Sequence, residues 1–269
     1  MASGAAPDSR FDLGRVAQRT FASIGRNFGV FALLALLLSG IPALLTGLLL
    51  TFASGDHTNQ PTSSVTDSTT LVVIGASVIG FVYLVGAIAS FILQAAIIYG
   101  TIADLNGRRA QFGECLSMGL RNWFWLFLLA IVLIIAEAFG YILFIVPGLM
   151  LAVAWMVAVP AQVVEHTGVF GAISRSAELT RGHRWAIFGL LVIYFIASLV
   201  LQGSIIGIIA ALAVSLSPNM SQTATQLVAQ PLLNVTTSLI GAAGVASIYY
   251  ELRSSREGIG PEALAAVFD

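Results

Sequence analysis

The chain has 269 residues, of which 58% are hydrophobic and only 9% are charged, and its mean hydropathy is +0.93. Soluble domains are typically about 45–50% apolar and about 25% charged, so this composition excludes an ordinary soluble domain and predicts an integral membrane protein. The formal net charge of −1 provides no positive field for nucleic acid. The single cysteine, Cys115, excludes an intramolecular disulfide. The three histidines form no metal-ligand pattern with it, so we expect no metal and no cofactor.

A transmembrane helix needs roughly 20 mostly apolar residues, and six apolar segments of the chain are candidates for such helices. They cover residues 28–53, 70–100, 123–145, 148–164, 186–214 and 226–250. The first is longer than the apolar region of a signal peptide, which spans roughly 7–15 residues, and we therefore interpret it as a retained span. Pro147-Gly148 lies between the third and fourth segments and predicts a tight hairpin there.

All twelve basic residues are arginines, and a six-span arrangement puts every one of them on the same side. They precede span one, separate spans two and three, separate spans four and five, and follow span six. By the positive-inside rule this side is cytoplasmic. The sequence thus predicts a multi-pass protein of the bacterial inner membrane with both termini in the cytoplasm, a short disordered N-terminus and a mobile tail after Arg256.

The segments that precede spans one, three and five share an amphipathic pattern. Apolar residues recur at spacings of three and four, and each segment ends with an aromatic residue at the start of a span, in "RNF", "RNW" and "HRW". This predicts three pseudo-repeated hairpins, each preceded by an amphipathic helix at the cytoplasmic interface. The fold is then one all-α membrane domain over residues 1–269. Its units lie at roughly 10–100, 101–164 and 165–250, before a short tail at 251–269.

Two polar residues inside the spans are candidates for an intramembrane site. Glu137 lies about 14 residues past the start of span three, or roughly 21 Å along a helix. A carboxylate at that depth marks a polar path or a partner, unless it is protonated or the span ends early. Asn234 belongs to the polar outer half of span six, where such residues either line a cavity or hydrogen-bond to neighbouring helices.

The stretch "ISRSAELTRGHRW", residues 173–185, concentrates charge between two apolar spans. Arg175, Glu178 and Arg181 follow one another at three-residue spacing, so they form either a lipid-phosphate site or a structural ion-pair cluster. Glu165 and Asp104 each follow an apolar span, and each either caps an interfacial helix or pairs with an arginine.

Residues 146–182 resemble a membrane domain found in some bacterial glycerophosphoryl diester phosphodiesterases and in related stand-alone integral membrane proteins. The resemblance is carried by residues Pro147-Gly148, Pro160, Glu165, Gly171-Ala172, Arg175-Ser176 and Glu178-Leu179-Thr180-Arg181-Gly182. It implies a multi-helix membrane bundle in a lipid context. It does not imply catalysis, because the phosphodiesterase barrel needs about 250 further residues.

Three functions compete at this point. The first is a non-enzymatic protein of the cell envelope that engages membrane lipids or a membrane partner, including a second copy of the chain. The second is a transporter or channel for a small solute or lipid, with a polar path near Glu137. The third, an intramembrane enzyme, lacks any paired acid and base, nucleophile or short catalytic motif. We therefore expect no enzymatic activity.

Overall fold

The structure is a computed structural model that describes residues 12–53, 65–143, 145–216 and 221–257. The predicted N-terminal and C-terminal disorder lies largely outside these residues. Within them the chain is helical, with short turns between helices. The helices are α1 (Leu13–Arg26), α2 (Phe28–Ala35), α3 (Ile41–Ala53), α4 (Val65–Leu105), α5 (Phe112–Leu143), α6 (Ile145–Trp155), α7 (Ala158–Glu165), α8 (Gly168–Thr180), α9 (Arg184–Leu216), α10 (Ser221–Ala224) and α11 (Gln230–Glu257). A π-helical turn at Leu36–Gly40 joins α2 to α3, and another at Thr225–Ala229 joins α10 to α11.

Six helical stretches are long and apolar enough to cross a membrane, which agrees with the number predicted from the sequence. They are Phe28–Thr51, Gly75–Leu105, Phe112–Ile142, Val146–Glu165, Arg184–Leu216 and Thr225–Glu257. Large apolar side chains are exposed along these helices, among them Ile142 at 80% and Val200 at 65%. Helices that are apolar on all sides are typical of membrane spans, where lipid contacts the outer surface.

The helices α4, α5 and α11 form the centre of the bundle, with α4 packed against both of the others. Glycines allow the closest approaches. A Cβ atom on Gly119 of α5 would lie 2.5 Å from the main-chain oxygen of Ile92 on α4. A Cβ atom on Gly100 of α4 would lie 2.6 Å from the Phe31 ring of α2. Small residues at helix crossings are how membrane bundles bring backbones together.

Span four is interrupted shortly before Pro160. Helix α6 ends at Trp155, and α7 begins at Ala158 after a two-residue turn. Proline has no N–H with which to continue the hydrogen-bond ladder of the preceding turn, which explains a break just before it. Helices α5 and α6 pack closely, since a Cβ atom on Gly140 would lie 3.1 Å from the Cα atom of Gly148. Pro147-Gly148, predicted to lie between the two spans, belongs to the first turn of α6 instead.

The second predicted interfacial helix is not a separate element. Helix α5 runs without interruption from Phe112 to Leu143, so residues 112–122 continue directly into span three. The first and third segments are separate helices, α1 and α8. The described part of the chain therefore differs among its three units. In addition, α11 extends to Glu257, past the predicted start of the tail at residue 251.

Candidate functional site

Most of the charged side chains meet at one end of the bundle, which we call the arginine end. The last turns of α11 form its centre. Glu251 of α11 is almost fully buried, with 4% of its side chain exposed, and it pairs with two arginines of α1. Nε of Arg15 donates to Glu251 at 2.9 Å, and Nη1 of Arg19 donates to the other carboxylate oxygen. The Arg19 guanidinium also lies over the ring of Tyr250, 5.2 Å from its centroid. If the six spans cross the membrane, the start of span one and the end of span six lie on the same side, which agrees with the contact between α1 and the end of α11.

A second ion pair connects α1 to α4. Arg26 donates from Nε and Nη2 to the carboxylate of Asp104, at distances of 2.5–3.2 Å. This hydrogen bonding raises the pKa of Arg26 above its ordinary value. Beside it, the side-chain oxygen of Asn27 accepts a hydrogen bond from the main-chain N–H of Ala110 at 3.1 Å. Asp104 therefore pairs with an arginine, which is one of the two roles predicted for it.

Arg175 of α8 lies among three carboxylates. Its Nε donates to both oxygens of Glu165 at 3.1 and 3.0 Å, Nη1 lies 3.5 Å from Glu178, and Nη2 donates to Glu257 of α11. Glu165 also accepts a 2.6 Å hydrogen bond from the hydroxyl of Tyr249. Burial alone would lower the pKa of Arg175, but the hydrogen bonds and charge of Glu165 raise the pKa above its ordinary value. Arg175 is therefore positioned as a structural link between α7, α8 and α11.

Two buried hydroxyls fix α8 to the bend in span four. The Ser176 hydroxyl donates to the main-chain oxygen of Ala154 at 2.8 Å, and the Thr180 hydroxyl lies 3.2 Å from the same oxygen. Both residues are fully buried. The helix then ends with Arg181 at the cap and Gly182 at φ +89°, a conformation that favours glycine. One side of α8 thus packs into the bundle, while its first turn exposes Phe170.

Next to this network, three arginines line a depression in which Glu178 is the only carboxylate among the described residues. The lining residues are Ala177, Glu178, Arg181, Arg184 and Arg256. In the part of the chain that the structure describes, no ion pair joins Arg181, Arg184 or Arg256 to a carboxylate. Arg256 donates to the main-chain oxygen of Arg181, which holds α11 beside the end of α8. The predicted group of Arg175, Glu178 and Arg181 therefore does not form one site. Carboxylates enclose Arg175, whereas Arg181 is exposed.

The two intramembrane candidates do not form one site. Asn234 lines a groove of about 670 Å³ between α3, α4 and α11. Glu137 lies on α5, is partly buried, and is not among the residues that line this groove. Of the two candidates, the groove therefore includes Asn234 and not Glu137.

Sequence reasoning missed several residues of the arginine end, Glu251 above all. The missed signal is an acid directly after an apolar span, in "YYELRSSRE", where a buried carboxylate needs a positive partner. It also did not predict that Arg184 and Arg256 line the depression. Among the described residues, no group of three His, Cys, Asp or Glu side chains has the arrangement of a metal site.

A family model described as "Domain of unknown function (DUF7847)" matches residues 2–251, which is most of the chain. The chain belongs to the DUF7847 family. The match covers all six spans up to Glu251 of α11, so the membrane bundle described above is the DUF7847 domain itself. No curated protein and no solved structure matches the chain.

Proposed function

We propose that the protein is a non-enzymatic, multi-pass protein of the bacterial inner membrane that binds anionic lipid head groups at the cytoplasmic leaflet. The observation that carries this proposal is the depression at the arginine end, where the described lining has three arginines, Arg181, Arg184 and Arg256, and one carboxylate, that of Glu178. Three guanidiniums with so little compensating charge form a site for an anion.

The chemistry of arginine favours a phosphate as that anion. A guanidinium donates two parallel hydrogen bonds to phosphate oxygens, which lysine cannot do. Each basic residue near an anionic membrane surface contributes about 1 kcal/mol of attraction. Exposed aromatic side chains at both ends of this segment, Phe170 at 78% and Trp185 at 74%, are suited to the head-group region. Arg175 has a different role in this proposal, since three carboxylates already surround it.

The orientation is part of the proposal. The arginine end faces the cytoplasm, and α1 and α8 lie at that interface as amphipathic helices before membrane hairpins. The arginine count on one side supports this orientation. In intact cells, single cysteines at positions 110 and 170 should resist a membrane-impermeant maleimide, and one at position 220 should react. Labelling of 110 or 170 from outside would contradict the orientation.

The resemblance of residues 146–182 to the membrane domain of some glycerophosphoryl diester phosphodiesterases supports the same lipid context. The resembling residues Ser176 and Thr180 are those whose hydroxyls contact Ala154, and Arg175 is the one that links three helices. We accordingly propose that this run forms the scaffold of the lipid site, while Arg181, at its end, contacts the phosphate. The partners in this proposal are membrane lipids, with a second copy of the chain or another membrane protein as a further partner.

Native mass spectrometry of protein from mixed phosphatidylglycerol and phosphatidylcholine nanodiscs tests the proposal. The unsubstituted protein should retain phosphatidylglycerol selectively. Arg181→Lys and Arg184→Lys should each reduce that selectivity several-fold, because charge is kept and bidentate geometry is lost. Arg109→Lys is the matched control, since Arg109 is exposed and does not line the depression. Equal retention by Arg181→Lys and Arg109→Lys would contradict a dedicated phosphate site.

A second candidate, transport of a small solute or lipid, is favoured by the polar groove between α3, α4 and α11. Glu137 is not part of its lining, so the path proposed for this function runs past Asn234 instead. Reconstitution in liposomes distinguishes the two candidates. Lipid scrambling or solute flux that depends on Asn234 would favour transport, whereas head-group retention without flux would favour the lipid-binding role.

A further inference from the structure

The groove between α3, α4 and α11 has a chemical character that the arginine end does not share. Its volume is about 670 Å³. Its polar lining consists of Ser39, Thr46, Tyr83, Ser90, Gln226, Gln230, Asn234 and Ser238. Among the residues that the structure describes, no charged side chain lines it. The groove lies at the opposite end of span six from Glu251, and it extends toward the middle of the bundle.

One wall is a row of polar side chains at four-residue spacing. Gln226, Gln230, Asn234 and Ser238 all line the groove. The π-helical turn Thr225–Ala229 lies at the start of this row. A π turn takes up an extra residue, and such turns occur frequently at functional sites.

The opposite wall contains the other π-helical turn and the first half of α3. Ser39 belongs to that turn, Leu36–Gly40. A Cβ atom on Gly47 would lie 2.7 Å from the main-chain oxygen of Gln226, so α3 and the row of polar residues touch at that point. The Thr51 hydroxyl lies 3.1 Å from the side-chain oxygen of Gln226. This contact holds Gln226 in place at the outer end of the groove.

The amides of Gln230 and Asn234 are available to a ligand. No hydrogen bond to a protein group uses either side-chain amide in the part of the chain that the structure describes. An amide without a partner in an apolar medium costs about 2–7 kcal/mol. Each amide offers two donor hydrogens and an acceptor oxygen. Both amides therefore match a ligand that can both donate and accept hydrogen bonds, as a hydroxyl group does.

The remaining lining is apolar, and so is the surface beside the groove. Leu38, Leu50 and Val82 contribute to the lining. On the helices that form it, Leu45 is 49% exposed and Leu84 is 56% exposed. An acyl chain can lie along these side chains while the polar part of the same molecule enters the groove.

We propose that this groove binds the polar part of an uncharged amphiphile that carries hydroxyl groups, in the leaflet opposite the arginine end. The amides of Gln230 and Asn234 bind the hydroxyls. The described lining disfavours a charged head group, because it offers no counter-charge and burying an unpaired charge is strongly unfavourable. This inference does not depend on the arginine site, and either proposal can fail without the other.

The test uses monooleoylglycerol and, as charged comparator, oleoyl lysophosphatidic acid, which has the same acyl chain and glycerol with an added phosphate. Binding of each to the full-length protein in nanodiscs should favour monooleoylglycerol at least tenfold. The double variant Gln230→Leu/Asn234→Leu should reduce monooleoylglycerol binding at least tenfold. Gln202→Leu is the matched control, because Gln202 lies in span five and does not line the groove. Gly86→Leu provides an independent variant that fills the groove without changing the amides.

Equal binding of the two amphiphiles would overturn the proposal, and so would unchanged monooleoylglycerol binding by the double variant and by Gly86→Leu. A dimer in which a second copy covers the groove would also overturn it. Retention of phosphatidylglycerol should be the same in all these variants and in the unsubstituted protein. If phosphatidylglycerol selectivity fails while the groove binds monooleoylglycerol, only the function proposed for the arginine end is refuted.

Discussion

Replacing Glu251 with glutamine should destabilise the protein by about 2 kcal/mol, because Glu251 is buried while its partners Arg15 and Arg19 are partly exposed. Removal of one partner from a fully buried ion pair costs about 3–5 kcal/mol. An exposed pair contributes about 0–1 kcal/mol. Only 4% of the Glu251 side chain is exposed, but 37% of Arg15 and 30% of Arg19 are. The two arginines can therefore turn toward water when the carboxylate is lost, which places the cost between the two limits.

Reversible unfolding in mixed detergent micelles, followed by tryptophan fluorescence, measures this change. Glu114→Gln is the matched control, because Glu114 is 39% exposed and its partner Arg108 is 66% exposed at 3.5 Å. It should cost less than about 0.5 kcal/mol. In a double-mutant cycle, Arg19→Ala and Glu251→Gln should show a coupling energy of at least about 1 kcal/mol. Equal small losses for Glu251→Gln and Glu114→Gln, with no coupling, would refute the buried ion pair between α1 and α11.

Two further changes test the packing of the bundle by the same unfolding measurement. Gly119→Ala should cost about 1–3 kcal/mol, because its Cβ atom would lie 2.5 Å from a main-chain oxygen of α4, whereas Gly113→Ala has open space and should cost almost nothing. Ser176→Ala should cost about 1–2 kcal/mol, because it leaves a buried main-chain oxygen of α6 with only a longer hydroxyl contact. Ser174→Ala, on the exposed side of α8, should be neutral, and a loss equal to that of Ser176→Ala would contradict the assignment.

The number of spans could be predicted from the sequence because each apolar run is long enough to cross a bilayer and few charges interrupt it. The boundaries were less certain. The amphipathic pattern of residues 112–122 predicts a separate interfacial helix, but these residues contain no proline to end one. Once a helix has begun, adding a residue costs little free energy, so α5 continues through Arg121 and Asn122 into the span.

The ion-pair partners could not be predicted, because they are far apart in the chain. Glu251 lies 236 residues from Arg15 and 232 from Arg19. The third carboxylate at Arg175 comes from Glu257, 82 residues away. Local spacing gave only the Arg175 and Glu178 contact. Hence the sequence left open whether Arg175 serves lipid phosphate or structure, and three-dimensional proximity was needed to separate its role from that of Arg181.

The groove was only partly foreseeable. The polarity of span six was visible, and Asn234 was a candidate because of it. The two π-helical turns leave no signature in composition, since they differ from an α-helix only in hydrogen-bond register. The position of Glu137 along span three indicates its depth, but it carries no information about which side of α5 faces a neighbour.

Photo-crosslinking from the depression at the arginine end tests the central proposal most directly. Benzoylphenylalanine at Ala177, which lines the depression, should capture phosphatidylglycerol in excess of its share in a mixed phosphatidylglycerol and phosphatidylcholine membrane. The same probe at Phe28, which is 60% exposed at the start of span one, should capture the two lipids in their bulk ratio. The excess at Ala177 should disappear in Arg181→Lys. Capture in the bulk ratio at both positions would contradict selective recognition of an anionic lipid.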